Sequence, residues 1–249
     1  MNVQFQNIGG ENYRVFCKSR DIGTVFFRPN KFHASTCHFD MNLSAYDVDF
    51  APDFGEQLSA IAQKPLQIML DSVEKEKIQF LEAAGFRCKR KCYEAEVTAK
   101  DLAKKIPPDF PIQQCHGRDT AHLACTQLLY RYYQDIHSKV SPLTAPFAEF
   151  SEKVPKMAYY MQELGAITQA LFVEERELAY CCSADLSGFE DFAAAVAGEM
   201  FRRYPSVSFE ADDCDPAAMK LLAMFQIPLQ NSYHTYIREK SRMVETVSV

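Results

Sequence analysis

The stretch Phe80–Val97, FLEAAGFRCKRKCYEAEV, decides how this chain is read. It opens on the end of an amphipathic helix. Lys75–Ala84 places Ile78 and Leu81 on one face, with Ser72 as the expected cap. Gly85 stands where a helix ends, since a glycine accepts the left-handed backbone that follows the last turn. Arg87–Val97 then has the length of one long strand, with Cys88, Arg90, Cys92, Glu94 and Glu96 on a common face.

Working outward, the residues before this stretch alternate in the period of half-buried strands. Tyr13, Val15 and Cys17 mark one, Thr24–Phe27 a second, and Cys37, Phe39, Met41 and Leu43 a third. A helix over Phe54–Ala62 and a strand over Pro65–Leu70 lead back to the opening stretch. After it come Pro107, Pro108 and Pro111 inside Thr98–Arg118, a run that breaks regular structure and reads as a linker. Ala121, Ala124, Cys125, Leu128, Leu129, Tyr132 and Ile136 then follow the spacing of one helical face, with Asp119 as its cap. A second helix is expected near Pro146–Lys153. Strands over Met157–Glu163, Ala166–Val173 and Leu178–Ser183, a helix over Phe189–Arg203, a strand over Ser206–Glu210, a helix over Ala217–Phe225 and a strand over Tyr233–Ile237 complete the chain. This order defines an α+β (α/β layered) fold with mixed sheets.

The two halves superpose at an offset of 141 residues. Pro65–Ser72 falls on Ser206–Asp213, Lys75–Ala84 on Pro216–Phe225, and Phe54–Ala62 on Ala195–Arg203. Strand meets strand and helix meets helix, the mark of an internal repeat. The expected division is 1–98 as an abbreviated domain, 99–118 as a Pro-rich linker and 119–249 as a complete domain.

The stretch that opens this reading resembles the C-terminal signature of the GNAT superfamily of N-acetyltransferases, which ends in a helix, a Gly-Phe pair and a long closing strand. SFEADDCDPAAMKLLAMF (Ser208–Phe225) is similar to the strand, turn and N-x-x-A-x-x-L-Y helix of that family, with Asp215 at the Asn, Ala218 at the Ala and Leu221 at the Leu. Asp119–Ser183 resembles its helix–helix–three-strand region. The resemblance implies two tandem GNAT-like domains and transfer of an acyl group from acetyl-CoA to a small-molecule amine. It places the pantetheine against the backbone of Cys181, Cys182 and Ser183 and the pyrophosphate at Ser187 and Gly188, where a helix N-terminus favours anions. It implies Glu210 as base, Tyr236 as acid and His137 beside the acceptor pocket. The family's R/Q-x-x-G-x-G/A phosphate loop is replaced by SADLSGFEDF (Ser183–Phe192) and AYDVDFAPDFGEQL (Ala45–Leu58), both acidic, and Leu81 and Leu222 stand at the helix Tyr. A binding or sensor module without catalysis is the alternative these departures raise.

Composition narrows the classes. The 249 residues are 47% hydrophobic and 24% charged, as in a folded globular chain and unlike a disordered one. The net charge of −6 argues against a nucleic-acid backbone as partner, and no apolar run approaches the ~20 residues of a membrane span. MNVQFQNIGG has neither the basic start nor the apolar run of an export signal. Nine cysteines in such a chain fit reduced, buried thiols in the cytoplasm, and Cys88 and Cys92 are read as packing rather than as metal ligands. Oligomeric state is not read from the sequence.

Overall fold

The computed structural model describes residues 3–103, 105–106, 110–229 and 232–240. Its elements form two compact units, one of Met1–Lys89 with Tyr233–Val249 and one of Arg90–Ser232.

The first unit starts with an antiparallel meander of β1 (Val3–Gly9), β2 (Asn12–Cys17), β3 (Arg20–Arg28) and β4 (Cys37–Leu43). Helix α1 (Ala51–Ala62) follows, then β5 (Leu66–Asp71), parallel to β4, and helix α2 (Lys75–Ala83). β1 was not expected. Only Val3 and Phe5 carry the alternation before Asn7 breaks it, so this edge strand has almost no period to read. Glu74, not Ser72, occupies the N-cap of α2, because the chain turns through Asp71, whose Oδ1 accepts from Val73 N–H. Gly85 takes φ +87 as the helix ends. The core joins Phe39, Phe54, Leu58, Phe80, Leu81 and Phe86, with the Phe80 ring edge-on to Phe50 and Phe54.

The long strand β6 (Arg87–Val97) has the bounds its sequence gives, and from Arg90 onward it belongs to the second unit. There follow β7 (Gln113–His116), α3 (Thr120–His137), α4 (Phe147–Lys153), β8 (Met157–Glu163), β9 (Ala166–Glu174), β10 (Glu177–Ser183), α5 (Phe189–Phe201), β11 (Val207–Asp212), α6 (Pro216–Ala223) and β12 (Ser232–Arg238). β7, β8, β9 and β10 pair antiparallel in sequence order, β11 joins β10 in parallel, and β6 pairs antiparallel with β11. Residues Gln169–Val173 of β9 are all buried, as helices on both faces of a sheet require. Leu171 and Val173 pack with α5 and α6 residues such as Val196 and Leu221, while Phe172 turns to His122 of α3.

Three expectations change here. The segment 99–118 is no linker between units: it lies within the second, Ala103 N–H donates to Met224 O, and Gln113–His116 is a strand. QQCH holds one apolar residue, too few to show a period. Pro107 and Pro108 lie outside the described residues. Asp119 stands at the N-cap of α3, yet its carboxylate accepts from His116 N–H rather than from the helix amides.

The closing strands also change partners. The first half's closing strand, β6, pairs with β11, and the second half's, β12, pairs with β5. The registers agree at the offset of the repeat. Cys92 faces Asp212 as Tyr233 faces Asp71, and Val97 faces Val207 as Arg238 faces Leu66. β5 and β11 are likewise equivalent residue for residue. Each half therefore supplies the strand that completes the other's unit, and the boundaries at 98 and 119 give way to those at Lys89/Arg90 and Ser232/Tyr233.

Candidate active site

β10 and β11 meet at one pair, Glu177 with Ser208, supported by a bond of 3.1 Å from Ser208 N–H to Arg176 O. Beyond it β10 pairs only with β9, so Cys181, Cys182 and Ser183 stand where the parallel neighbour has parted. The helices explain the parting. α6 packs against both β10 and β11, and Tyr132 of α3 reaches the start of α6. Its hydroxyl donates to Asp215 Oδ1 at 2.6 Å and accepts from Ala217 N–H at 3.0 Å. Asp215 Oδ1 also accepts from Ala217 and Ala218 N–H and so caps α6. Burial raises the Asp215 carboxyl, opposed by these donors, and raises the Tyr132 hydroxyl.

At the far end of β10 the chain turns through Ser183–Gly188. Ser183 Oγ donates to Asp185 O, Asp185 Oδ1 accepts from Ser187 N–H at 2.8 Å, and Gln169 Nε2 donates to Ser187 O at 2.8 Å. Gly188 begins α5 with φ +69, a backbone that L side chains avoid. Leu186, Ser187, Gly188, Glu190, Asp191 and Lys220 line a cavity of about 310 Å³ there. Lys220 Nζ lies 2.7 Å from Glu190 Oε1, so α6 delivers a cation to a loop whose own charges are acidic. The sequence reading missed Lys220; its only signal was its place one turn into a helix that the repeat had already aligned. Phe189 and Phe192 turn into the core with Leu171 and Val196.

On β11, Glu210 lies opposite Glu94 of β6. Burial raises its carboxyl first, and Glu94, Asp212 and Glu177 add to this, while the Cys92 thiol opposes it by donating to Oε2 at 3.6 Å. Arg90 is 8% exposed, although Arg87, Lys89 and Lys91 beside it are exposed. Its Nη1 lies 3.2 Å from Asp212 Oδ2 and 2.9 Å from His137 Nδ1. Arginine has no acceptor, so His137 Nδ1 accepts and that ring carries its proton on Nε2. The His137 ring stacks on Tyr133 at 4.0 Å between centroids, and Tyr133 meets Tyr180 of β10 edge-on at 6.5 Å. Glu210 and His137 thus belong to one cluster, joined through Cys92, its register partner Asp212, and Arg90.

Tyr236 does not join it. It lies on β12 opposite Ile68, 3% exposed in the core of the other unit, and burial holds its hydroxyl up at about 12. It was placed beside Glu210 because the sequence does not reveal the exchange of closing strands. Cys181 and Cys182 are buried thiols raised by desolvation, so only their backbone remains a candidate for ligand contact. In the first unit the position matching Glu210 is Met69, which has no proton to move. Among the described residues no group of His, Cys, Asp and Glu could hold a metal, and no helix is long and apolar enough to cross a membrane.

No protein-family model matches the chain, and no curated protein does. Solved structures do. A GCN5-related N-acetyltransferase from Sphaerobacter thermophilus matches with TM-score 0.54 at 11% identity, over 94% of this chain and 82% of that one. A tandem GNAT protein from the clavulanic acid biosynthesis pathway matches with TM-score 0.50 at 9% identity, over 92% and 82%. A functionally unknown conserved protein from Staphylococcus epidermidis matches with TM-score 0.51 at 10% identity, over 88% and 91%. The fold is that of the GNAT superfamily of N-acetyltransferases. It is carried twice on one chain, as two tandem GNAT-like domains.

Proposed function

We propose that the chain is a CoA-dependent N-acyltransferase that uses acetyl-CoA and acetylates a small amine, acting through its second unit in the cytoplasm. The observation that carries this reading is the single-pair contact of β10 with β11, which leaves one edge of β10 unpaired toward the cavity at Gly188. An extended pantetheine arm bonds to such an edge as a further strand would. Ser187 and Gly188 receive the pyrophosphate, and Lys220 offsets Glu190 and Asp191 there. Glu210, raised above the ordinary carboxylate range, takes the proton of the acceptor ammonium. The freed nitrogen attacks the thioester carbonyl, the carbon–sulfur bond breaks, and the proton that the acylated nitrogen sheds passes to the CoA thiolate. A thiol's pKa of ~8.5 makes that last step easy without an assigned acid. Tyr133, Tyr180 and His137 wall the acceptor side.

Calorimetry with acetyl-CoA on the wild type, Gly188→Glu and Lys220→Glu tests this. Gly188→Glu also strains the backbone at φ +69, whereas Lys220→Glu changes charge on a regular helix. Binding by the wild type that both variants lose supports the assignment. No heat at saturating acetyl-CoA overturns it.

A further inference from the structure

The acceptor side of the second unit is built partly from the first half's closing strand. Arg90 and Cys92 stand two apart on β6, both buried and on one face, and Cys92 is the register partner of Asp212. From them runs a series of contacts: His137 Nδ1 accepts from Arg90, Arg90 pairs with Asp212, Asp212 lies opposite Cys92 in the ladder, and Cys92 Sγ donates to Glu210 Oε2. We infer that Arg90 and Cys92 are positioning residues for Glu210: the Cys92 thiol donates its one proton to the carboxylate, which fixes its orientation and favours its ionised form against burial, and Arg90 occupies Asp212, the other carboxylate beside the thiol. The inference rests on the reading of Glu210 as the base, and it makes the second unit's chemistry depend on a strand that the first half supplies.

The geometry assigns each partner a task. Burial raises the Asp212 carboxyl and the Arg90 guanidinium opposes this, favouring the ionised form that accepts and does not donate. Burial and the neighbouring carboxylates push the Cys92 thiol far above its ordinary range, so it stays a donor and never competes as a base. Glu210 is faced by Glu94 and Cys92 from β6, by Asp212 on its own strand, and by Glu177 and Tyr180 from β10. Tyr133 of α3 faces Arg90 and Asp212. Cys92 is the group in this set whose hydrogen bond favours the ionised form of Glu210, so its removal has one sign.

The test is a carbon-13 titration of glutamate carboxyls in the full chain, with Glu210→Gln to identify the signal. Cys92→Ala moves the Glu210 midpoint upward by about half a pH unit or more. Cys92→Ser, which keeps a donor, leaves the midpoint near that of the wild type. Cys92→Val, which fills the space without a donor, reads the same effect if the alanine cavity unfolds the protein. An unchanged midpoint in Ala and Val, or a serine variant that shifts as far as alanine, overturns the inference. The readout needs no substrate, so absence of acetyl-CoA binding would remove the acyltransferase reading while this titration still decides the role of Cys92.

Discussion

Replacing Arg238 by Met tests how the first unit is closed. Arg238 ends β12 and is 9% exposed. Its Nε donates to Ser59 Oγ at 2.9 Å, Nη1 donates to Ala84 O just past α2, and Nη2 pairs with Glu56 of α1. Two glycines make the slot. A Cβ on Gly55 would collide with Ala84 O and stand 2.6 Å from Arg238 Nη1, and one on Gly85 would stand 2.5 Å from Nη1. The Glu56 side chain is 64% exposed, so that pair is worth only ~0–1 kcal/mol. The buried, charge-assisted bond to Ala84 O is worth ~1.5–3 kcal/mol, and the bond to Ser59 about 1 kcal/mol. Met keeps the stem's packing and loses all three bonds, so the expected cost is about 3 kcal/mol. At ~2–4 °C per kcal/mol for a chain of this size, the melting temperature falls by roughly 6–12 °C. Thermal melts followed by circular dichroism measure the fall, and hydrogen exchange locates it in the amides of β12 and the end of α2. A fall below about 2 °C, or faster exchange elsewhere but not in β12, would refute the assignment of Arg238 as the closing anchor.

Gly55→Ala drives a methyl into the same slot and costs ~1–3 kcal/mol, measurable by urea denaturation. Tyr132→Phe removes a buried hydroxyl that serves Asp215 and Ala217 at once; it costs ~1–2 kcal/mol in the same assay. Asp215→Asn keeps an N-cap acceptor and removes a carboxyl whose folded pKa is raised by burial. The raised carboxyl contributes most below its unfolded pKa and loses that contribution as pH rises through the folded pKa. Melts across pH 4 to 8 therefore show the Asn variant gaining on the wild type as pH rises. Glu210→Gln removes turnover with acetyl-CoA and an amine, and the wild-type kcat/KM falls as pH drops through the raised Glu210 pKa; an unaltered profile in the Gln variant would exclude Glu210 as base.

Most elements were legible because their residues carry a strong period or a strong stop. β6 ends where its sequence places it, and β5 and β11 match at the repeat offset, each a short strand followed by a helix. β1 and β7 were illegible for the opposite reason, being edge strands with one or two apolar residues each. The site was half legible. Glu210 and His137 were read from family position and share a cluster. The sequence places Arg90 only on a strand face and gives Cys92 as a packing thiol, since nothing local distinguishes a charged residue on an exposed face from one folded against a carboxylate 122 residues away.

The exchange of closing strands shows why such contacts escape a repeat-based reading. The two halves have equivalent registers, so β6 and β12 offer the same backbone ladder to β5 or to β11, and local sequence does not choose between them. The side chains do. Arg238 requires a slot between two glycines and meets Gly55 and Gly85; the residues matching those glycines at the repeat offset are Val196 and Gln226, which leave no such slot. Arg90 requires a buried carboxylate and a histidine acceptor and finds Asp212 and His137. Each closing strand thus carries an arginine whose full set of partners stands in a single unit. β12 seated in the second unit would leave Arg238 without the Ser59, Ala84 and Glu56 partners it has in the first, and β6 seated in the first would meet Asp71 at the position of Asp212 but leave Arg90 without His137. These two arginines distinguish the units, while the ladder they complete is common to both halves.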